Sequence, residues 1–167
     1  MSSAFSESLL RRAEALLALY RGKGLMLATA ESCTGGLVAG LLTEIAGSSD
    51  VVERGFVTYS NEAKIDCLGV PEATIIGFGA VSSETARAMA KGALAHSRAD
   101  VAVAITGIAG PGGGSAAKPV GLVHFGCARK ERPLVHRVRR FGAIGRDQVR
   151  AAAIHVALDL LFEAAED

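Results

Sequence analysis

Val101–Ala102–Val103–Ala104–Ile105 is apolar at every position. A strand with one face in water alternates apolar and polar residues, so an unbroken run marks a central strand covered on both faces. Helices must supply that cover, and the chain has them. Leu9, Leu10, Ala13, Leu16, Leu17 and Tyr20 recur at helical spacing before Gly22 and Gly24. Leu37, Val38, Leu41, Leu42 and Ile45 mark a second helix between the Gly35–Gly36 turn and Gly47. A short helix over Asn61–Leu68 is closed by Gly69, with Pro71 just beyond. Ser82 or Ser83 caps another, whose Ala86, Met89, Ala90, Ala93 and Leu94 share one face.

Further strands are expected over Leu25–Ala30 and Val51–Ser60. Val120–Ala128 and Leu134–Phe141, separated by the charged stretch Arg129–Pro133, suggest an antiparallel hairpin. A last helix spans about Arg146 to Ala164. Its segment Ala151–Phe162 is apolar on more than one face, which predicts burial against a second subunit and a homo-oligomer, with a dimer favoured. The fold class is α/β: a single three-layer α/β/α domain with a mixed, mostly parallel central sheet.

Composition narrows the function classes. A length of 167 residues suits one domain over residues 1–167, and 50% hydrophobic against 21% charged residues excludes disorder. The net charge is +1, and the only basic cluster, Arg137, Arg139 and Arg140, reads as the solvated face of an edge strand; no nucleic-acid partner is expected. The apolar runs break well before the roughly 18–20 residues a membrane span needs, and Met1–Arg12 lacks the apolar centre of a signal peptide. Three scattered cysteines, Cys33, Cys67 and Cys127, fit a reducing cytoplasm and give no metal-ligand spacing.

Two strand ends carry the candidate chemistry. Ala30–Glu31–Ser32–Cys33–Thr34–Gly35–Gly36 and Thr106–Gly107–Ile108–Ala109–Gly110–Pro111–Gly112–Gly113–Gly114 each follow an apolar run. Their hydroxyls should emerge at the carboxyl edge of the sheet, beside bare backbone N–H groups. A serine nucleophile needs a proton acceptor. His96 and His155 fall inside helices and His124 and His136 inside the hairpin, so no Ser/His/Asp arrangement is supported. Lys64, in the first turn of its helix, is the alternative base if burial and the helix dipole depress its pKa. Tyr59, five residues earlier, is placed to orient that amine or relay a proton; the competing reading makes Lys64 an exposed helix residue and Tyr59 a core edge. Cys33 is the rival nucleophile, or a packed small side chain. The glycine-rich loop reads as a cradle for phosphate or an oxyanion, yet matches neither a P-loop nor the dinucleotide G-x-G-x-x-G pattern.

Thr29–Gly36, Tyr59–Ser60–Asn61 with Lys64, Ala80–Val81–Ser82, Thr106–Gly113, Lys118–Pro119–Val120–Gly121 and Gly145–Arg146 occur in one order along the chain. At these residues the sequence closely resembles the CinA C-terminal domain family, the nicotinamide-nucleotide amidases, in its stand-alone form. The resemblance implies hydrolysis of nicotinamide mononucleotide to nicotinate mononucleotide and ammonia, in pyridine-nucleotide salvage, with no metal or organic cofactor. It implies Ser32 as nucleophile, Lys64 and Tyr59 as its activating partners, and oxyanion donors near Gly35–Gly36. Substrate contacts are expected at Glu31, Thr34, Gly35, Gly36, Thr106, Gly107, Gly110, Gly112, Gly113 and Arg146. Ile144–Gly145–Arg146 stands where many members show glycine–aspartate–arginine. The alternative from another class is a nucleotide-binding or sensing domain without chemistry.

Overall fold

The computed structural model describes residues 2–167. Five strands, β1 (Leu27–Glu31), β2 (Val52–Val57), β3 (Val101–Gly107), β4 (Leu122–Arg129) and β5 (Val135–Arg140), form one sheet in the order β2-β1-β3-β4-β5. β2, β1 and β3 are mutually parallel, whereas β4 pairs antiparallel with both β3 and β5. The sheet is therefore mixed, with β4 alone running against the other strands.

Period-two alternation sends successive side chains to opposite layers. Leu27 with Val101, Val103 and Ile105 faces α1 (Glu7–Lys23), α2 (Leu37–Glu44) and α6 (Arg146–Ala164). Ala28, Ala30, Ala102 and Ala104 face the opposite layer, where α3 (Asn61–Leu68), α4 (Glu72–Phe78) and α5 (Ser83–Ala95) lie. The small alanines let α5 approach the sheet closely. At Gly126 a Cβ would stand 2.5 Å from the Ala86 carbonyl oxygen. Gly92, inside α5, is tighter still: a Cβ there would lie 1.9 Å from the Leu68 carbonyl oxygen of α3. Gly92→Ala should cost about 3 kcal/mol through this overpacking and lower the Tm by roughly 6–12 °C in calorimetry. An unchanged Tm would mean that α3 can move aside freely.

Several sequence expectations shift. Gly22 lies within α1, and the helix ends at Gly24, whose φ of 67° gives the left-handed cap. The first strand starts two residues later than expected and runs one residue further, to Glu31; the second ends at Val57 rather than Ser60, and α4 was not expected at all. It is only seven residues long, with Pro71 at its N-cap, too short to show a period. The largest difference concerns what covers α6. Its apolar faces are covered inside this chain: Val149, Ala153, Ile154, Val156, Ala157, Leu158, Leu160 and Leu161 are buried in the layer shared with α1, α2 and the sheet. Tyr20 also donates a buried 2.6 Å hydrogen bond to the Leu161 carbonyl. A helix packed on both a sheet and a neighbouring helix is apolar on two faces without any partner chain. β5 is an edge strand, as β2 is at the other side; Arg139 and Arg140 are exposed, and Arg137 pairs with Glu163 of α6 at 2.7 Å. No helix among the described residues is long and apolar enough to cross a membrane.

Candidate active site

The parallel register brings the strand ends together. Glu31 lies opposite both Val57 and Ile105, so Ser32, Thr58 and Thr106 leave the sheet side by side. The Ser32 N–H donates to the Ile105 carbonyl at 2.9 Å and the Thr58 N–H to the Glu31 carbonyl at 2.9 Å, which prolongs the sheet by one residue. The chain then reverses through Gly35 (φ 58°) and Gly36 (φ 99°) into α2. Beta-carbons strain such left-handed positions, hence the paired glycines.

Lys64 reaches this turn from α3, whose start is fixed by Ser60: its hydroxyl oxygen accepts the Ala63 N–H at 3.0 Å. Lys64 is 1% exposed, and its amine lies 3.1 Å from Ser32 Oγ, 2.9 Å from the Thr58 carbonyl and 3.4 Å from the Ser60 carbonyl. It forms no salt bridge among the described residues. Burial without a carboxylate disfavours the ammonium, and the Lys64 pKa is lowered for that reason. A neutral amine has two N–H groups and one lone pair. Here Nζ stands as donor to Ser32 Oγ and to the two carbonyls; once deprotonated it would keep its two N–H groups for the carbonyls and turn its lone pair to the Ser32 hydroxyl.

Cys33 is buried beside them, and burial pushes its thiol up to about 11. A thiol neutral at physiological pH is a poor nucleophile. Tyr59 is placed differently from the expectation that it touches the lysine. Its side chain is largely exposed, and its hydroxyl oxygen accepts from Arg146 Nη2 at 2.7 Å. Arg146 Nη1 donates to the Gly110 carbonyl at 2.9 Å. One guanidinium in the first turn of α6 thus joins the tyrosine to the glycine-rich loop.

That loop forms the far wall of a cavity of about 270 Å³ that Ser32, Lys64 and Tyr59 also line. Thr106 donates its hydroxyl to the Ala80 carbonyl at 2.7 Å, and Gly107 is pressed onto β4, where a Cβ would lie 2.7 Å from Val123 Cγ2. At Gly110 (φ 85°) a Cβ would meet Val120 Cγ1 at 2.5 Å. The N–H groups of Ala109, Gly110, Gly112 and Gly113, all in the cavity wall, donate to no acceptor among the described residues. Unspent amides along one wall suit an anion.

Glu31, Thr34, Gly35 and Gly36 stand outside the cavity wall. The Glu31 carboxylate accepts from the Thr34 hydroxyl (2.6 Å) and from the Val38 (2.9 Å) and Ala39 (3.1 Å) N–H groups, so it caps α2 at its positive end. The Gly35 N–H is spent on the Ser32 carbonyl at 2.9 Å. Asn61, Ala80 and Val81 line the cavity although sequence reasoning gave them no role. Their signal was position: Asn61 follows Tyr59–Ser60 directly, and Ala80–Val81 leads into the cap of α5.

The profile of the CinA C-terminal domain matches residues 10–165 of this chain. The chain belongs to the CinA C-terminal domain family. A competence/damage inducible protein from Agrobacterium tumefaciens has the same structure with a TM-score of 0.97 at 53% identity, covering 99% of this chain and 100% of that one. The CinA superfamily protein of Escherichia coli aligns with a TM-score of 0.88 at 34% identity, covering 96% and 94% of the two chains. In sequence, the nicotinamide-nucleotide amidohydrolase PncC of Enterobacter agglomerans is 51% identical over 136 residues, which is 81% of this chain and 82% of that protein. A CinA-like protein of Syntrophobacter fumaroxidans is 50% identical over 147 residues, 88% of this chain but 34% of that longer one. The chain spans between 26% and 36% of the length of such longer CinA relatives.

Proposed function

We propose that this CinA-type domain hydrolyses the carboxamide of nicotinamide mononucleotide to give nicotinate mononucleotide and ammonia. The observation that carries this reading is the buried 3.1 Å contact between Lys64 Nζ and Ser32 Oγ, with two carbonyls and no carboxylate around the amine. The amidohydrolase named above, 51% identical, supports the substrate.

The Ser32 hydroxyl gives its proton to the neutral Lys64 amine as Oγ bonds to the carboxamide carbon. The C=O electron pair moves to oxygen, and backbone N–H groups at the start of the turn, Cys33 foremost, are the available donors to that oxyanion. The tetrahedral species collapses, the C–N bond breaks, and the Lys64 ammonium returns its proton to the departing nitrogen. Water then attacks the acyl-serine, losing a proton to Lys64, and the second collapse releases the carboxylate and restores Ser32. Tyr59, whose oxygen accepts from Arg146, keeps its own proton to donate into the cavity. The amides of Gly110, Gly112 and Gly113, with Arg146 alongside, suit the 5′-phosphate, and Thr106 borders the path between the two ends.

Wild-type protein should release ammonia and nicotinate mononucleotide in equal amounts from nicotinamide mononucleotide. Binding measured by calorimetry without ammonia would sink the hydrolase reading in favour of a nucleotide-binding domain. Arg146→Ala should raise KM about tenfold, since it removes a charged contact near the loop amides. Nicotinamide riboside, which lacks the phosphate, should be insensitive to the same change. Equal effects on both compounds would place Arg146 away from the phosphate.

A further inference from the structure

Arg150 lies one turn beyond Arg146 on α6, outside every motif singled out above. Its Nε donates to the Cys33 carbonyl at 3.1 Å and its Nη2 to the Thr34 carbonyl at 3.4 Å. The guanidinium is half-buried and forms no salt bridge among the described residues. Nη2 is also 3.4 Å from where a Cβ on Gly35 would stand, so the absence of a side chain there lets the guanidinium sit against the backbone.

We infer that Arg150 is a positioning residue that holds and polarises the nucleophile turn, an inference that rests on the hydrolase reading above. Two physical effects follow from the geometry. The first is electrostatic: a guanidinium held on the carbonyl of the residue after Ser32 adds positive potential beside the place where negative charge develops in the reaction. The second effect is rigidity. Within the turn, the Gly35 N–H bonds the Ser32 carbonyl, the Leu37 N–H bonds the Thr34 carbonyl and the Thr34 hydroxyl bonds Glu31, while the Cys33 carbonyl is met by Arg150 and two left-handed glycines follow. Arg150 adds two fixed anchors from a helix buried along most of its length, and its planar fork can serve two carbonyls at once where an ammonium serves them less well. Arg146 and Arg150, four residues apart on one helix face, then hold the two loops of the site against each other.

The test compares Arg150→Gln and Arg150→Lys with wild type, following ammonia release from nicotinamide mononucleotide, Tm, and the rate at which a fluorophosphonate forms an adduct at Ser32 by mass spectrometry. Losing a direct oxyanion donor costs about 10²–10³ in turnover, and a charge that does not touch the oxyanion less. Arg150→Gln should lower kcat by roughly 30-fold with KM within about threefold, and slow the Ser32 adduct in parallel. Arg150→Lys, which keeps the charge but not the fork, should recover part of the loss. A fall in Tm with kcat and the adduct rate unchanged would overturn the inference and leave Arg150 as a strut. Should wild type release no ammonia yet form the adduct, the hydrolase reading fails and the adduct rates alone decide Arg150. A wild type that does neither overturns both.

Discussion

Ammonia release from nicotinamide mononucleotide should fall by at least ~10⁴-fold in Ser32→Ala, with the folded protein otherwise retained. The size follows from the role: without Oγ there is no acyl intermediate, and what remains is whatever binding and oxyanion donors do for direct attack by water. The structure gives reason to expect a clean variant. Ser32 holds its place through its backbone N–H on the Ile105 carbonyl, and its side chain has one hydrogen-bond partner, the Lys64 amine. Removing Oγ leaves that amine with the Thr58 and Ser60 carbonyls. A net change of about 1 kcal/mol or less, roughly 2–4 °C in Tm, is therefore expected. The measurement pairs an ammonia assay with thermal unfolding. Activity above a hundredth of wild type, in a protein of unchanged Tm, would remove Ser32 from the chemistry. Cys33 is no substitute, because burial holds its thiol at about 11.

The sequence displayed the strand ends more clearly than the side chains that cross between them. Ser32 and Thr106 were legible because unbroken apolar runs place their own ends, and parallel pairing then aligns them without further information. Lys64 was legible as a first-turn residue after the Ser60 cap, but its burial was not. Nothing local predicts that α5 will cover a helix whose own pattern is weak. Glu31, expected among the substrate contacts through the family resemblance, has its carboxylate engaged elsewhere: alternation from Leu27 and Thr29 puts it on the α2 side of the sheet, where it caps that helix. Arg146 was expected at the site through the family resemblance, but the partners of the two arginines were out of reach for a different reason. Arg146 meets Tyr59 across 87 residues and Arg150 meets Cys33 across 117, and only packing of α6 on the sheet makes either pair. The same packing explains why the apolar C-terminal helix suggested a partner chain: periodicity registers that two faces are covered, not by what.

Lys64→Met should abolish hydrolysis to a similar degree, and its pH behaviour separates a catalytic base from a buried structural lysine. In wild type the amine must be neutral to take the Ser32 proton, so kcat/KM should be low in acid and rise as pH passes the Lys64 pKa. Burial lowers that pKa, so the rise falls below the ordinary lysine value of 10.5. The variant should lose this limb along with at least ~10³-fold in rate, a general-base contribution compounded by an unactivated serine. Stability gives an independent reading of the same shift. A lysine whose folded pKa lies below its unfolded pKa binds fewer protons in the folded state between the two values. Unfolding then takes up protons, and stability increases with pH across that window. The penalty of burying Lys64 is full below its folded pKa and vanishes as pH approaches the unfolded value. Wild type should therefore gain Tm relative to Lys64→Met as pH is raised toward 10, while at lower pH the difference stays flat. Parallel Tm curves across the whole range would show that Lys64 keeps its ordinary pKa, and the neutral-amine mechanism would lose its base. A buried amine with no carboxylate beside it costs stability below its unfolded pKa, and the difference between the two curves measures that cost directly.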